Sequence, residues 1–78
     1  METNTSRKLT GKRIVATNKC GSIMWTGTIE SVKVGQPYIL NVLHDDNTNT
    51  SLKLGILSAS LLAHNGWVNT NNQTFEIN

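Results

Sequence analysis

The chain has 78 residues, a formal net charge of +2 and a single cysteine, Cys20. This length makes one domain with a marginal core, and one cysteine excludes an intrachain disulfide, which is typical of a reducing, cytoplasmic compartment. No segment has the ~18 consecutive apolar residues of a membrane-spanning helix, so we expect no membrane partner, and the small net charge does not by itself indicate nucleic acid.

The N-terminal part of the chain is polar and basic. Five of the seven basic residues lie in the first 19 positions, where Glu2 is the one acidic residue. The five are Arg7, Lys8, Lys12, Arg13 and Lys19. Residues 1–10 are expected to form a flexible basic arm. The basic residues either bind phosphate groups or only keep a small protein soluble.

Two strands are predicted after the arm, over residues 12–19 and 23–34, with a glycine turn between them. From Ile23 to Ile29 apolar and polar side chains alternate, which directs one face of the second strand toward a core. Trp25 lies on that face, and we expect it in the core.

Gly27 and the residues after it predict that the second strand is bent and bulged. A glycine in the middle of a strand marks a bend or a close backbone approach. After Ile29 the alternation slips by one residue, so that Val32 takes the next apolar position, as at a β-bulge. A long strand with both features favours a small closed barrel.

The third predicted strand, residues 38–43, is apolar on both faces. Ile39 and Leu43 lie opposite the other apolar residues of the strand. One barrel interior cannot cover both faces, so we expect a subunit interface to cover the second and the protein to be a homo-oligomer.

The C-terminal half predicts more short elements. In chain order these are a fourth strand, one 3₁₀ turn and a short fifth strand, at residues 50–54, 58–61 and 61–64. Asn65-Gly66 predicts a hairpin that folds residues 67–70 back on the chain. Residues 69–78 are expected to be a tail with an extra edge strand. The whole pattern predicts an all-β fold, a small SH3-like barrel of five to six short antiparallel strands with one 3₁₀ turn, over residues 11–68.

The run Gly27-Thr28-Ile29-Glu30-Ser31-Val32 resembles the second strand of bacterial Sm-like RNA chaperones, the Hfq family. The resemblance implies an Sm-like barrel. Three features depart from that family: no helix is predicted in residues 1–11, Val34-Gly35-Gln36-Pro37 adds residues to a turn, and the Tyr-Lys-His run of the second motif is missing. The family's uracil-binding residues are therefore not carried over.

A second resemblance is to plasmid-borne trimethoprim-resistant dihydrofolate reductases, which are SH3-like chains. Trp25-Thr26-Gly27-Thr28-Ile29 is similar to their Trp-x-Gly-x-Ile run. Leu52-Lys53-Leu54-Gly55 lacks the glutamine and tyrosine of their active-site run. The resemblance therefore implies the fold and not the activity.

The chain carries no recognisable catalytic motif, and we expect neither an enzyme nor a cofactor. His44-Asp45-Asp46 places an imidazole beside two carboxylates, but turn-forming residues follow, so a solvated turn is expected there rather than a metal site. Cys20 is expected to be a spectator.

A binding function is the prediction that remains, and the main hypothesis is a nucleic-acid or nucleotide binder. The five basic residues would bind phosphates, and an exposed Tyr38 or Trp67 would stack on a base. Trp67 could instead fix the tail to the barrel. The alternative hypothesis is a small accessory protein of a phage or mobile element that binds and regulates a host protein. A third is an enzyme whose site forms only at a subunit interface.

Overall fold

The computed structural model describes residues 2–78, with side chains described from Asn4 onward. Its elements are α1 (Glu2–Leu9), β1 (Arg13–Asn18), β2 (Ile23–Lys33), β3 (Tyr38–His44), β4 (Asn49–Leu54), α2 (Ile56–Asn65), β5 (Trp67–Asn69) and β6 (Gln73–Ile77). The strands form a six-stranded antiparallel sheet in the order β4-β3-β2-β1-β6-β5. A predominantly β fold with six short antiparallel strands is thus confirmed. The sheet is not closed, because β4 and β5 are its two edges.

The close backbone approach and the bulge predicted for β2 are both present. A Cβ placed on Gly27 would lie 2.6 Å from the backbone oxygen of Leu43 and 2.9 Å from Cγ1 of Val42. The register between β2 and β3 shifts between Ile29 and Ser31. Glycine at position 27 therefore allows β3 to cross close to β2, and the bulge restores the alternation beyond it.

The core lies between the sheet and the two helices. All eight elements contribute buried apolar side chains to it: Leu9, Ile14, Ala16, Ile29, Tyr38, Leu40, Val42, Leu54, Ala59, Leu62, Ala63, Val68 and Phe75. Trp25 packs against this cluster but is only partly buried. Its ring stacks on His44 at a centroid distance of 4.6 Å and contacts Phe75 at 6.1 Å.

The N-terminal segment is helical, so the prediction of a flexible arm over residues 1–10 is wrong for residues 2–9, while Met1 lies outside the described residues. Thr5 and Leu9, one turn apart, are buried. Only Leu9 of this pair is apolar, so no apolar periodicity marks the helix. The sequence also predicted that this segment lacks the N-terminal helix of Sm-like proteins. That prediction is wrong, because α1 is present.

The segment predicted as a 3₁₀ turn and a fifth strand is instead the ten-residue helix α2. Gly66 ends it in the left-handed conformation, with φ 85°, and its N–H donates to Leu62 O at 3.0 Å. Asn65-Gly66 is therefore a helix cap and not a hairpin turn. Apolar residues lie on all sides of α2, which hides the helical period in the sequence.

The last strand is not the extra edge strand predicted for the tail. β6 lies between β1 and β5, with Phe75 opposite Ala16 and Val68. Residues 69–78 therefore complete the sheet, and the short strand β5 forms the edge.

Candidate anion-binding groove

An open groove of about 540 Å³ lies where the C-terminal ends of α1 and α2 meet the end of β6. It combines basic, amide and small apolar residues. The lining residues are Arg7, Lys8, Lys12, Ala63, His64, Asn65, Gly66, Ile77 and Asn78. Three of these lining residues have basic side chains and none has an acidic side chain.

The basic wall is built by the end of α1 and the turn after it. Arg7 and Lys8 belong to the last turn of the helix, where cations interact favourably with the helix dipole. Gly11, at φ 84°, then turns the chain, and its N–H donates to Ile29 O at 2.7 Å. The N–H of Lys12 donates back to Leu9 O at 3.2 Å. The turn thereby returns Lys12 to the side of the groove that holds Arg7 and Lys8.

The opposite wall is the C-terminal end of α2. His64 lies in its last turn, and its Nδ1 is 3.1 Å from Nζ of Lys8. The N–H of Ile77 donates to Gly66 O at 2.9 Å, which fixes the end of β6 to the helix cap. The groove is therefore held by backbone hydrogen bonds on this side and bridged by one side-chain contact.

Arg13 belongs to a different cluster. Its guanidinium donates to both carboxylate oxygens of Asp45, at 2.8 and 2.9 Å, and the Thr26 hydroxyl donates to the same carboxylate. Both members of the ion pair are half exposed. The hydrogen bonds from Arg13 and Thr26 hold the pKa of Asp45 below its ordinary value. The charge of Arg13 is therefore paired with Asp45, and Arg13 does not line the groove.

Lys19 and Tyr38 also lie away from the groove. Lys19 follows the far end of β1, a six-residue strand, and at ~3.3 Å per residue this separates it from Lys12 by about 20 Å. Tyr38 is 2% exposed and belongs to the core. The prediction that Tyr38 stacks on a base from an exposed position is therefore wrong. The neighbours of Tyr38 on the inner face are Leu40 in β3 and Leu54 in β4. Both are apolar and buried, which explains the burial of Tyr38.

Trp67 is exposed, as predicted, with 55% of its surface accessible. It follows Gly66, which lines the groove, and pairs in register with Glu76 of β6. Val68, and not Trp67, is the buried residue of β5. The alternative in which Trp67 fixes the tail to the sheet therefore does not describe this strand.

The predicted turn after β3 is present, and a stacked Trp25–His44 pair borders it. Thr48 N–H donates to Asp46 Oδ1 at 3.1 Å, which stabilises the turn. Nε2 of His44 is buried and has no hydrogen-bond partner in the described structure. Sequence reasoning did not find the stack, because no short-range pattern brings residues 25 and 44 together.

The outer face of β2, β3 and β4 carries a row of polar side chains. Asn41 Nδ2 donates to Ser31 Oγ at 2.8 Å, and Ser51 Oγ donates to Asn41 Oδ1 at 3.4 Å. On the same face Ile39 is in register with Lys33 and Lys53. The second face of β3 is thus mixed, with apolar side chains between polar and basic neighbours.

A separate apolar surface lies on α2. Leu57 is 74% exposed, and Ile56 and Leu61 are also exposed. Leu57 and Leu61 are four residues apart and therefore share one side of the helix.

Comparisons with known proteins give no match. No protein-family model matches the chain, and neither a curated protein nor a solved structure matches it significantly. Within residues 2–78, neither helix is long and apolar enough to cross a membrane. In the same part of the chain, no three His, Cys, Asp or Glu side chains are grouped closely enough to hold a metal ion.

Proposed function

We propose that this protein is a non-enzymatic binder of nucleic acid or nucleotides, and that it binds their phosphate groups in the groove. The observation that carries the proposal is the convergence of Arg7, Lys8 and Lys12 on one cavity whose lining residues include no acidic side chain. Contacts between such cations and phosphates supply most of the affinity in sequence-independent nucleic-acid binding.

The exposed ring of Trp67 supports the same function. It follows Gly66, a lining residue of the groove, in the chain, and an exposed aromatic ring can stack on a base. The short match of residues 27–32 and the helix before β1 support an Sm-like relationship, which remains part of the proposal.

Salt dependence of binding tests the proposal. With three phosphate contacts, the logarithm of the affinity should fall with the logarithm of salt concentration with a slope of about −2.1 for a single-stranded oligonucleotide and about −2.7 for a duplex. Lys8→Gln and Lys12→Gln should each reduce the size of the slope by about 0.7 for the single strand and about 0.9 for the duplex. Lys19→Gln, which removes the same charge far from the groove, is the matched control.

If Lys19→Gln lowers the affinity as much as Lys8→Gln does, binding depends on the net charge of the protein and not on the groove. Absence of binding to oligonucleotides and to nucleotides at low salt would reject the function.

We also propose that the protein acts as a homo-oligomer. Half-buried Ile39 and Leu43 on the outer face of β3, and the two open sheet edges β4 and β5, support this. Light scattering at micromolar concentration should give a mass above that of one chain, and a monomer mass would reject this part of the proposal.

A second candidate function, binding and regulation of a host protein by a phage or mobile-element accessory protein, is favoured by the exposed apolar side of α2. Leu57 and Leu61 could form the contact. Leu57→Ser should abolish capture of a partner from bacterial lysate, whereas Lys8→Gln should leave capture unchanged. Capture that survives Leu57→Ser would argue against this surface.

A further inference from the structure

The arrangement of charges in the groove favours one compact anion over an extended row of phosphates. Arg7, Lys8 and Lys12 all come from residues 7–12, which span at most about 13 Å, since two steps at the helical rise of ~1.5 Å are followed by three of at most ~3.3 Å. A strand that crosses a long basic surface would meet cations spaced along its path, whereas these three lie at a single place. Three converging cations exceed the single negative charge of an internal phosphodiester.

The Lys8–His64 contact adds a ring N–H donor to the same place. Lys8 Nζ is a donor only, so Nδ1 of His64 accepts in this contact and the ring hydrogen is on Nε2. His64 is exposed to the groove, so this Nε2–H can donate to an oxygen of a bound anion. A phosphate monoester has three terminal oxygens and a charge of about −1.5 to −2 at neutral pH, which matches several donors and cations at one site.

The rest of the lining fits the remainder of one nucleotide. Ala63, Gly66 and Ile77 give the groove an apolar part, and the side chains of Asn65 and Asn78 offer amide donors and acceptors. The volume of about 540 Å³ lies in the range of small-ligand sites, which are about 300–1,000 Å³. Such a cavity has room for a single nucleotide unit.

We infer that the groove binds a terminal phosphate monoester, carried either by a free nucleotide or by the phosphorylated end of a strand. The basic wall holds the phosphate, and the apolar part holds the sugar or base. This inference rests on the proposed function and narrows it from phosphates in general to terminal ones.

The test compares two oligonucleotides of equal charge. A hexathymidylate with a 5′-phosphate carries five diesters and one monoester, about −7 in all, and an octathymidylate with a 5′-hydroxyl carries seven diesters, also −7. Affinities for the full-length protein are measured by competition with a labelled strand at fixed salt. A hexathymidylate with a 3′-phosphate, thymidine monophosphate and thymidine complete the series.

The expected result is at least tenfold tighter binding of one phosphorylated hexamer than of the octamer, because extra charge-assisted hydrogen bonds form with the monoester. Lys8→Gln and Lys12→Gln should remove this preference, and Lys19→Gln should keep it. Circular dichroism verifies that each variant is folded. If thymidine monophosphate binds and thymidine does not, the result supports the inference and identifies a free nucleotide as the source of the phosphate monoester.

If the protein binds the octamer and both hexamers with equal affinity, and the salt slope still corresponds to three phosphate contacts, the inference is overturned and the proposed function stands. A preference that persists in Lys8→Gln and Lys12→Gln would place the monoester site elsewhere and overturn the inference as well. No binding of any of the five ligands would overturn both.

Discussion

Replacing Gly27 by alanine tests the close approach of β2 and β3. The new Cβ would lie 2.6 Å from Leu43 O and 2.9 Å from Val42 Cγ1, so a backbone carbonyl of the neighbouring strand would have to move. Overpacking of this kind costs about 1–3 kcal/mol, and the lower entropy of the unfolded alanine chain offsets about 0.4–1 of it. We expect a net loss of about 1–2 kcal/mol in the free energy of unfolding.

Thermal unfolding followed by circular dichroism measures this loss. In a domain of this size 1 kcal/mol changes the Tm by about 4–8 °C, so the Tm of Gly27→Ala should fall by about 4–16 °C. Gly35→Ala is the matched control, because its Cβ would meet only Pro37 O at 3.6 Å, an ordinary contact. Equal melting temperatures for the two variants would refute the close-approach argument.

Substitutions at four other positions test separate parts of the structure. Asp45→Asn should lower the Tm at pH 7. Because folding lowers the pKa of Asp45, its contribution is present above the unfolded value of about 4 and is lost as the pH falls further, so the two melting curves should converge in acid. Tyr38→Ala should cost about 3–5 kcal/mol of stability by chemical denaturation, whereas Trp67→Ala should leave stability almost unchanged and weaken single-strand binding by about 1–3 kcal/mol. Gly66→Ala, at φ 85° with open space around it, should cost about 1–2 kcal/mol by backbone strain alone, and Gly66→Asn should cost less.

The strands were predictable because local patterns determine them. Alternation and a mid-strand glycine predicted β2, its close approach to β3 and its bulge, and turn residues predicted the ends of β3 and β4. The two helices were not predictable in the same way. α1 is polar apart from Leu9 and is fixed by tertiary burial of Thr5 and Leu9, while α2 is apolar on nearly every side.

The candidate site was predictable only in its residue types. The five basic residues are close together in the sequence, but the fold separates them. β1 places Lys19 far from Lys12, and Arg13 is paired with Asp45. His64 was missed because its neighbour Lys8 is 56 positions away in the chain. The signal that could have found it is a basic residue in the last turn of a helix, which required α2 to be recognised first.

The folding of α1 also changes what the basic residues can do. A disordered segment over residues 1–19 could have used all five cations on any polyanion, at a cost in ordering entropy of roughly 1–2 kcal/mol for each residue fixed. Because α1 is docked through Thr5 and Leu9, the backbone of Arg7 and Lys8 is ordered before a ligand arrives. The entropy of ordering this backbone is therefore lost on folding and not on binding. Five independent contacts would give a salt slope of about −3.5 to −4.5, and three give about −2 to −2.7. The measured slope therefore distinguishes a preorganised groove with three cations from a disordered segment over residues 1–19 that uses all five.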